Sequence, residues 1–428
     1  MRRLLSSLLL CLALPAAAQE FTTYKGHGGP IMGLVVTGDG TLASASFDNA
    51  VGVWAGPGQG ARWLDGHDAA VTAIAETPGG ALVTGGDDFA VWHWGAQPRK
   101  IGQHKGKVTS LAPAPDGRVI AAGSWDGDIV LWPTGAGQAE TLPYPGAGVN
   151  AVVYAADGAA LFAATSKGDV LRYDMGKRDT PRPLVRHGFG VNRLVLGDGW
   201  LAYGAVDGGT RVVDAETGEK LYDFTLDRRP ILAMAHHAAT GQLAIGDGEG
   251  HIMMIDTTQW RITRDFRAMR SGPVWALAFS NDGTVIHAGG IDDVIYAWPV
   301  ALLDSYDPAG GDTRSFLRDA ATMDNGERQF MRKCSICHSL EAGPSRKAGP
   351  TLHGVFGRRA GGVPGYRYSP TLDGSDIIWT DTTIDALFDA GPDHYIPGSK
   401  MPMQVIAAPS DRADLIAFLR TATKEKTP

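Results

Sequence analysis

The sequence predicts a multidomain chain of two unlike parts, an all-β array of seven repeated units followed by a small all-α domain. Three observations carry this. A motif of the form small-x-x-Asp-x-x-apolar-x-apolar-Trp recurs between residues 25 and 298 at a spacing near 40. A polar stretch rich in turn residues, Leu-Asp-Ser-Tyr-Asp-Pro-Ala-Gly-Gly-Asp at 303–312, then interrupts the chain. From about residue 315 onward the apolar period becomes helical. Composition agrees with both parts: 44% hydrophobic and 20% charged residues are ordinary for globular domains, and 57 glycines ask for many tight turns and therefore short strands. A length of 428 residues leaves room for two or three domains.

In chain order, Met1-Arg2-Arg3 is a short basic start, residues 4–14 are apolar except for Ser6 and Ser7, and Ala16-Ala17-Ala18 is a small-residue cleavage site. This is the pattern of a secretory signal peptide over 1–18, so the mature protein is expected to be exported, soluble and periplasmic. The apolar run is too short to span a bilayer, and no later stretch is long enough, so no integral membrane segment is expected. Cys11 lies within the signal. The mature chain then has two cysteines, Cys334 and Cys337, and no disulfide is expected.

Residues 19–303 hold the repeats. Their terminal strand residues fall at Trp54, Trp94, Trp132, Tyr173, Val213, Ile255 and Trp298. Within the second unit, Val71 to Ala75, Ala81 to Thr84 and Ala90 to Trp94 alternate as strands around a Pro-Gly-Gly turn and a 85–89 turn. Gly26-His27, Gly66-His67 and Gln103-His104 stand early in their units, and Asp48, Asp88, Asp126, Asp207 and Asp292 each stand six residues before the terminal position. Lys167 and Glu249 replace that Asp in the fourth and sixth units, which are expected to be looser or to carry a particular surface. The array resembles the WD40 repeat, which implies a seven-bladed β-propeller with four strands to a blade. The resemblance also implies that Phe21-Thr22-Thr23-Tyr24 completes the last blade as its outer strand. The His and Asp side chains are read as structural, in a network with Ser/Thr and Trp that fixes the turns. His236, His237, His251, Met253 and Met254 are likewise read as packing, because neighbours on a strand face opposite ways and cannot converge on one ion.

A breaker-rich linker over 304–314 leads to the second module, 315–428. Its centre is Cys334-Ser335-Ile336-Cys337-His338, a Cys-x-x-Cys-His run of the kind that attaches haem c through two thioethers and ligates its iron through the histidine. Zinc would need a second ligand pair, which the cysteine count withholds. The last helix is expected over 410–420, with Ser410 as N-cap and an apolar stripe at Leu415, Phe418 and Leu419. From 326 to 423 the chain resembles a class I cytochrome c of the mitochondrial and bacterial c2 type. The resemblance implies one covalent haem c, with Gly326 and Phe330 packed against Leu415 and Phe418. It places the Pro350 carbonyl as acceptor from His338, and Arg358, Tyr368 and Trp379 as propionate partners. In Tyr395-Ile396-Pro397-Gly398-Ser399-Lys400-Met401 it makes Met401 the sixth ligand; Met403, Lys400 and His394 are the competing groups nearby. The chain departs from the family at Leu387 or Phe388, where a tyrosine near the Met sulfur is usual, and at Leu372, where a polar residue is common.

Charge separates the modules. Residues 19–310 carry 22 Lys/Arg against 32 Asp/Glu, and residues 311–428 carry 15 against 14. An acidic propeller disfavours nucleic acid as a partner and suits electrostatic steering of a redox partner protein. Arg332, Lys333, Arg346, Lys347 and Lys400 are expected around the haem edge. The expectation is electron transfer through one His/Met haem, with the propeller as docking or scaffold module. The alternative is a haem oxidoreductase whose propeller holds a substrate or second cofactor, and a third reading is a scaffold whose haem senses redox state.

Overall fold

The structure, a computed structural model, describes residues 21–143, 146–226, 230–269, 272–305, 323–343, 345–401 and 403–424. The expected signal peptide and most of the expected linker lie outside these residues.

Seven four-stranded antiparallel sheets follow one another around a ring. Each blade's first three strands alternate or run apolar, because both faces are covered by the neighbouring blades; the innermost strands of successive blades pack side by side. The outer strands are different. Those at Ala61–Asp65 and Arg99–Gln103 contain no buried residue and mix charged with apolar side chains, so they had no clean apolar period to betray them. In the third blade the outer strand shrinks to Glu140–Thr141. The fourth and sixth blades keep all four strands despite their altered turns. In the second blade the strands run Val71–Glu76, Leu82–Gly86 and Ala90–Trp94, so the expected turn at 85–89 begins two residues late.

The ring closes as the repeat resemblance implies. Thr22–Lys25 pairs antiparallel with the last blade, Thr22 against Ala297 and Lys25 against Val294, and Phe21 stacks 4.6 Å from Trp298.

The turn network takes the form expected of it. In the first blade His27 Nδ1 meets Asp48 at 2.8 Å and its Nε2 meets Ser44 Oγ at 2.7 Å, and Trp54 Nε1 donates to that hydroxyl at 2.8 Å. The second blade repeats this with His67, Asp88, Thr84 and Trp94. His187 with Asp207 serves the fifth blade at 2.8 Å. In the sixth, where Glu249 stands in the turn, Asp247 takes over, accepting from the backbone N–H of both Glu249 and His251 at 2.9 Å. Burial opposes ionisation of Asp88 and Asp207, but hydrogen bonds from His67 and His187 and from backbone N–H groups hold both carboxyls below the ordinary range.

The histidines and methionines read as packing residues lie apart. His236 packs edge-on to Trp200, His237 bonds Thr240 and the Asn281 carbonyl, and Met253 and Met254 enter two different core clusters on opposite faces of their strand.

His287 in the last blade is buried, and its Nδ1 has no hydrogen-bond partner. Burial pushes its pKa from 6.5 down to about 4. The unfolded chain therefore takes up a proton below about 6.5 that the folded blade refuses until about 4, and stability falls as pH drops through that window. The loss approaches about 1.4 kcal/mol per pH unit from this one group. We expect His287→Leu to flatten the dependence of the propeller's thermal midpoint on pH between 7 and about 5; parallel curves for the two proteins would show that His287 does not control it.

The second module has five helices among the described residues: α1 (Asn325–Lys333), α2 (Pro370–Asp373), α3 (Asp381–Ala390), α4 (Pro392–Tyr395) and α5 (Pro409–Ala422). Helices α1 and α5 cross closely at Gly326, where a Cβ would run into the Asp414 carbonyl. Phe330 lies 5.5 Å from Phe418, and Leu415 is fully buried in the same core, as the family resemblance implies. Arg412 ties α5 to α3 through Asp385 and Asp389. One local expectation fails: α5 begins at Pro409 with Ala408 as N-cap and no side-chain cap bond, so Ser410 sits inside the first turn. Proline fits there because its missing N–H is one that the first turn leaves unpaired anyway.

Candidate functional site

Helix α1 ends at Lys333, and the next residues turn sharply, with Cys334, Cys337 and His338 bonded through backbone N–H groups to the Phe330 and Cys334 carbonyls. That turn brings both sulfurs and the imidazole to one wall of a cavity of about 310 Å³. His338 Nδ1 donates to the Pro350 carbonyl at 2.7 Å. This bond fixes the ring's orientation and tautomer and leaves Nε2 with a lone pair for a metal. Burial holds the imidazole pKa below the ordinary histidine value, against the Pro350 bond, which favours protonation. Gly349 makes the arrangement possible, because a Cβ there would overlap the imidazole ring.

All eight residues singled out from the sequence, Cys334, Cys337, His338, Pro350, Arg358, Tyr368, Trp379 and Met401, line this one cavity. Met401 reaches it from the loop after α4, where its backbone N–H bonds Ser399 Oγ at 3.0 Å. Of the three competitors, only Lys400 lines the cavity; Met403 is 47% exposed and, like His394, is not among the lining residues. Arg358 gives its two terminal nitrogens to the His353 and Thr351 carbonyls, each at 2.7 Å, and the Tyr368 hydroxyl accepts from the Val363 N–H at 3.2 Å. The rest of the wall is apolar, including Leu352, Val355, Leu387, Phe388 and Leu419. Leu372, Leu387 and Phe388, the departures from the family pattern, are thus part of an oily lining. Burial pushes the Cys334 thiol up to about 12 and the Cys337 thiol up to about 11.

The donor set fits haem c. Two thiols, an imidazole whose Nε2 is left free and a thioether, gathered on one mostly apolar cavity, are the donor set that a covalently held porphyrin iron would require. Ser369 adds to the fit. Its buried Oγ has no hydrogen-bond partner and its residue lines the cavity, which is the condition of a group waiting for a ligand acceptor. The sequence reading passed over Ser369, although its place beside Tyr368 was available as a signal.

Six propeller residues, Phe47, Asn49, Asp68, Ala69, Ala70 and Asp87, also line the cavity. They were missed altogether. Of the expected basic surface, Lys333 and Lys400 reach the lining, while Lys347 turns its Nζ to the Ser335 carbonyl at 2.8 Å.

Comparison with known proteins agrees with both modules. The family described as "WD domain, G-beta repeat" matches residues 18–55, 59–95, 95–133 and 260–299, and the family described as "Cytochrome c" matches 323–423. Similar relatives include a "Cytochrome c" of Sesamum indicum, 44% identical over 100 residues that make up 23% of this chain and 88% of that protein. Another is from Arabidopsis thaliana, 43% identical over 99 residues, with the same shares of the two chains. A third, from Cochliobolus lunatus, is 42% identical over 99 residues, which are 23% of this chain and 91% of the relative. One covalently attached haem c, with its iron, is therefore the cofactor of this protein. A seven-bladed WD40 propeller precedes it, and through its C-terminal module the chain belongs to the cytochrome c family.

Proposed function

We propose that this is an exported, periplasmic electron-transfer protein whose haem is held by Cys334 and Cys337 and ligated by His338 and Met401. The observation that supports this most directly is the convergence of those four side chains on one cavity, with His338 already oriented by Pro350. When bound, the haem supplies a one-electron couple. The surrounding side chains do the rest. Pro350 keeps Nε2 aimed inward and makes it a better donor. Met401 would hold the iron through a soft sulfur, which would favour the reduced metal and suit electron transfer rather than ligand binding. Arg358, Tyr368 and Trp379, with Ser369, place positive charge and hydrogen-bond donors where the propionates would lie. The apolar wall from Leu352 to Leu419 excludes water and limits reorganisation when the charge changes.

The propeller serves as docking or scaffold module toward a redox partner protein, and its excess of acidic residues supports electrostatic steering of the encounter. No helix of the described residues is long and apolar enough to cross a membrane. The test is spectroscopic. Purified holoprotein should show a low-spin c-type spectrum when reduced and a Met-to-iron charge-transfer band when oxidised. Rapid binding of carbon monoxide at neutral pH, or a missing band, would remove Met401 from the ligand set. Cell fractionation with N-terminal sequencing tests export, the expected mature start being at or near Gln19.

A further inference from the structure

The mouth of the haem cavity is covered by the protein's own propeller. The covering elements are the connection from the first blade to the second, residues 66–70, and the turns at 47–49 and 87. Three cations of the cytochrome module meet two carboxylates there. Arg346 pairs with Asp65 at 2.6 Å and lays its guanidinium 3.9 Å from the centre of the Trp63 ring. Arg367 and Lys400 both pair with Asp68, Lys400 at 3.1 Å, and Arg367 also donates to the His67 carbonyl at 3.2 Å. Lys400 immediately precedes Met401 and lines the cavity itself, so the ion pair sits at the cavity mouth. The backbones come equally close: a Cβ on Gly28 would run into the carbonyl of Arg346.

We propose that blades 1 and 2 act as a docking partner built into the chain, an acidic latch that occupies the electron-exchange surface of the cytochrome module in cis. This rests on the electron-transfer reading above. A small redox molecule reaches the haem past the latch, whereas a protein-sized partner must first displace it, because both compete for Arg346, Arg367 and Lys400. Asp65 and Asp68 are about two-thirds exposed, 68% and 59%. Pairs so placed are individually weak and are screened over a Debye length of about 8 Å at physiological salt, which makes the latch reversible and salt-sensitive. The redox step it governs is simple: one electron passes from the ferrous haem to the oxidant, with no bond made or broken.

The test compares holoprotein of the native sequence with Asp65→Lys/Asp68→Lys and with Gly28→Val. The first breaks the ion pairs; the second wedges the surfaces apart without changing charge and keeps the Gly28 N–H that bonds Asp48. Oxidation of reduced haem by a small blue-copper protein should be about tenfold faster in both variants than in the native protein, a change of the size that surface electrostatics and access commonly bring to association. Oxidation by ferricyanide should differ by no more than about twofold. Small-angle scattering should show a larger radius of gyration in both variants, and in the native protein at high salt, with faster amide hydrogen exchange over 66–70. Equal copper-protein rates together with an unchanged radius would overturn the latch. A haem that fails to exchange an electron with ferricyanide overturns the electron-transfer reading instead, while scattering and hydrogen exchange still decide whether the surfaces are docked.

Discussion

Replacing Cys334 and Cys337 with alanine is expected to abolish covalent haem and to leave the C-terminal module largely unfolded, with the propeller intact. The two modules stand on different cores. In the cytochrome module, Leu352, Val355, Ile384, Leu387, Phe388 and Leu419 all line a cavity of about 310 Å³, and unfilled apolar volume of that size costs several kcal/mol at about 24 cal/mol per Å³. The helices that line it are short: α2 and α4 have four residues each, too few to persist without tertiary packing. The propeller, by contrast, packs blade against blade through continuous apolar clusters of its own side chains. Circular dichroism should therefore lose helical signal while the β contribution and the buried Trp54 and Trp298 fluorescence persist, and proteolysis should leave a fragment ending near residue 303. Loss of the propeller in the double mutant would show that the modules fold as one unit.

Met401→Ala should have a large but different effect. The thioethers and His338 keep the haem attached, but the sixth position opens, so carbon monoxide binding goes from absent to rapid. The potential falls because the sulfur that favours the reduced iron is gone. Met403 is not positioned to replace it. It lies outside the cavity lining, packed so that a Cβ on Gly391 would collide with its sulfur. Met403→Ala should accordingly leave the charge-transfer band in place. A band that survives Met401→Ala and disappears with Met403→Ala would reverse the assignment.

Much of this was legible because regular structure and covalent chemistry both leave periodic or contiguous marks. The terminal strand residues from Trp54 to Trp298 repeat because each blade must bury the same positions against its neighbours, and Cys334 to His338 are adjacent because one haem edge engages them all. What escaped notice lacks such marks. The outer strands Ala61–Asp65 and Arg99–Gln103 bury no residue fully and mix charged with apolar side chains, so backbone pairing rather than a period of burial defines them. The sixth blade's turn moved its aspartate two places to Asp247, because the backbone N–H groups it must satisfy can be reached from either position. The start of α5 went to Pro409 rather than Ser410, since a pre-set φ can begin a helix without a side-chain cap. Asp65 and Asp68, joined to Arg346, Arg367 and Lys400 across some 280 to 330 residues of chain, look in sequence like any solvated charge.

The strand Thr22–Lys25 belongs to the last blade although it precedes every other described strand in the chain. Its partners, Val294 to Ala297, come some 270 residues later, so the final step of ring assembly is a contact of very long range, with the loop-closure entropy and slow approach that such contacts carry. Until it forms, the third strand of the last blade, Val294–Pro299, is a bare edge rich in β-branched and aromatic residues. A chain trimmed of residues 21–25 cannot cover that edge itself. The same edge accepts an identical strand from any other copy, so crowding during synthesis favours exchange of the first strand between molecules, and dimers of trimmed with untrimmed chain are the expected by-product.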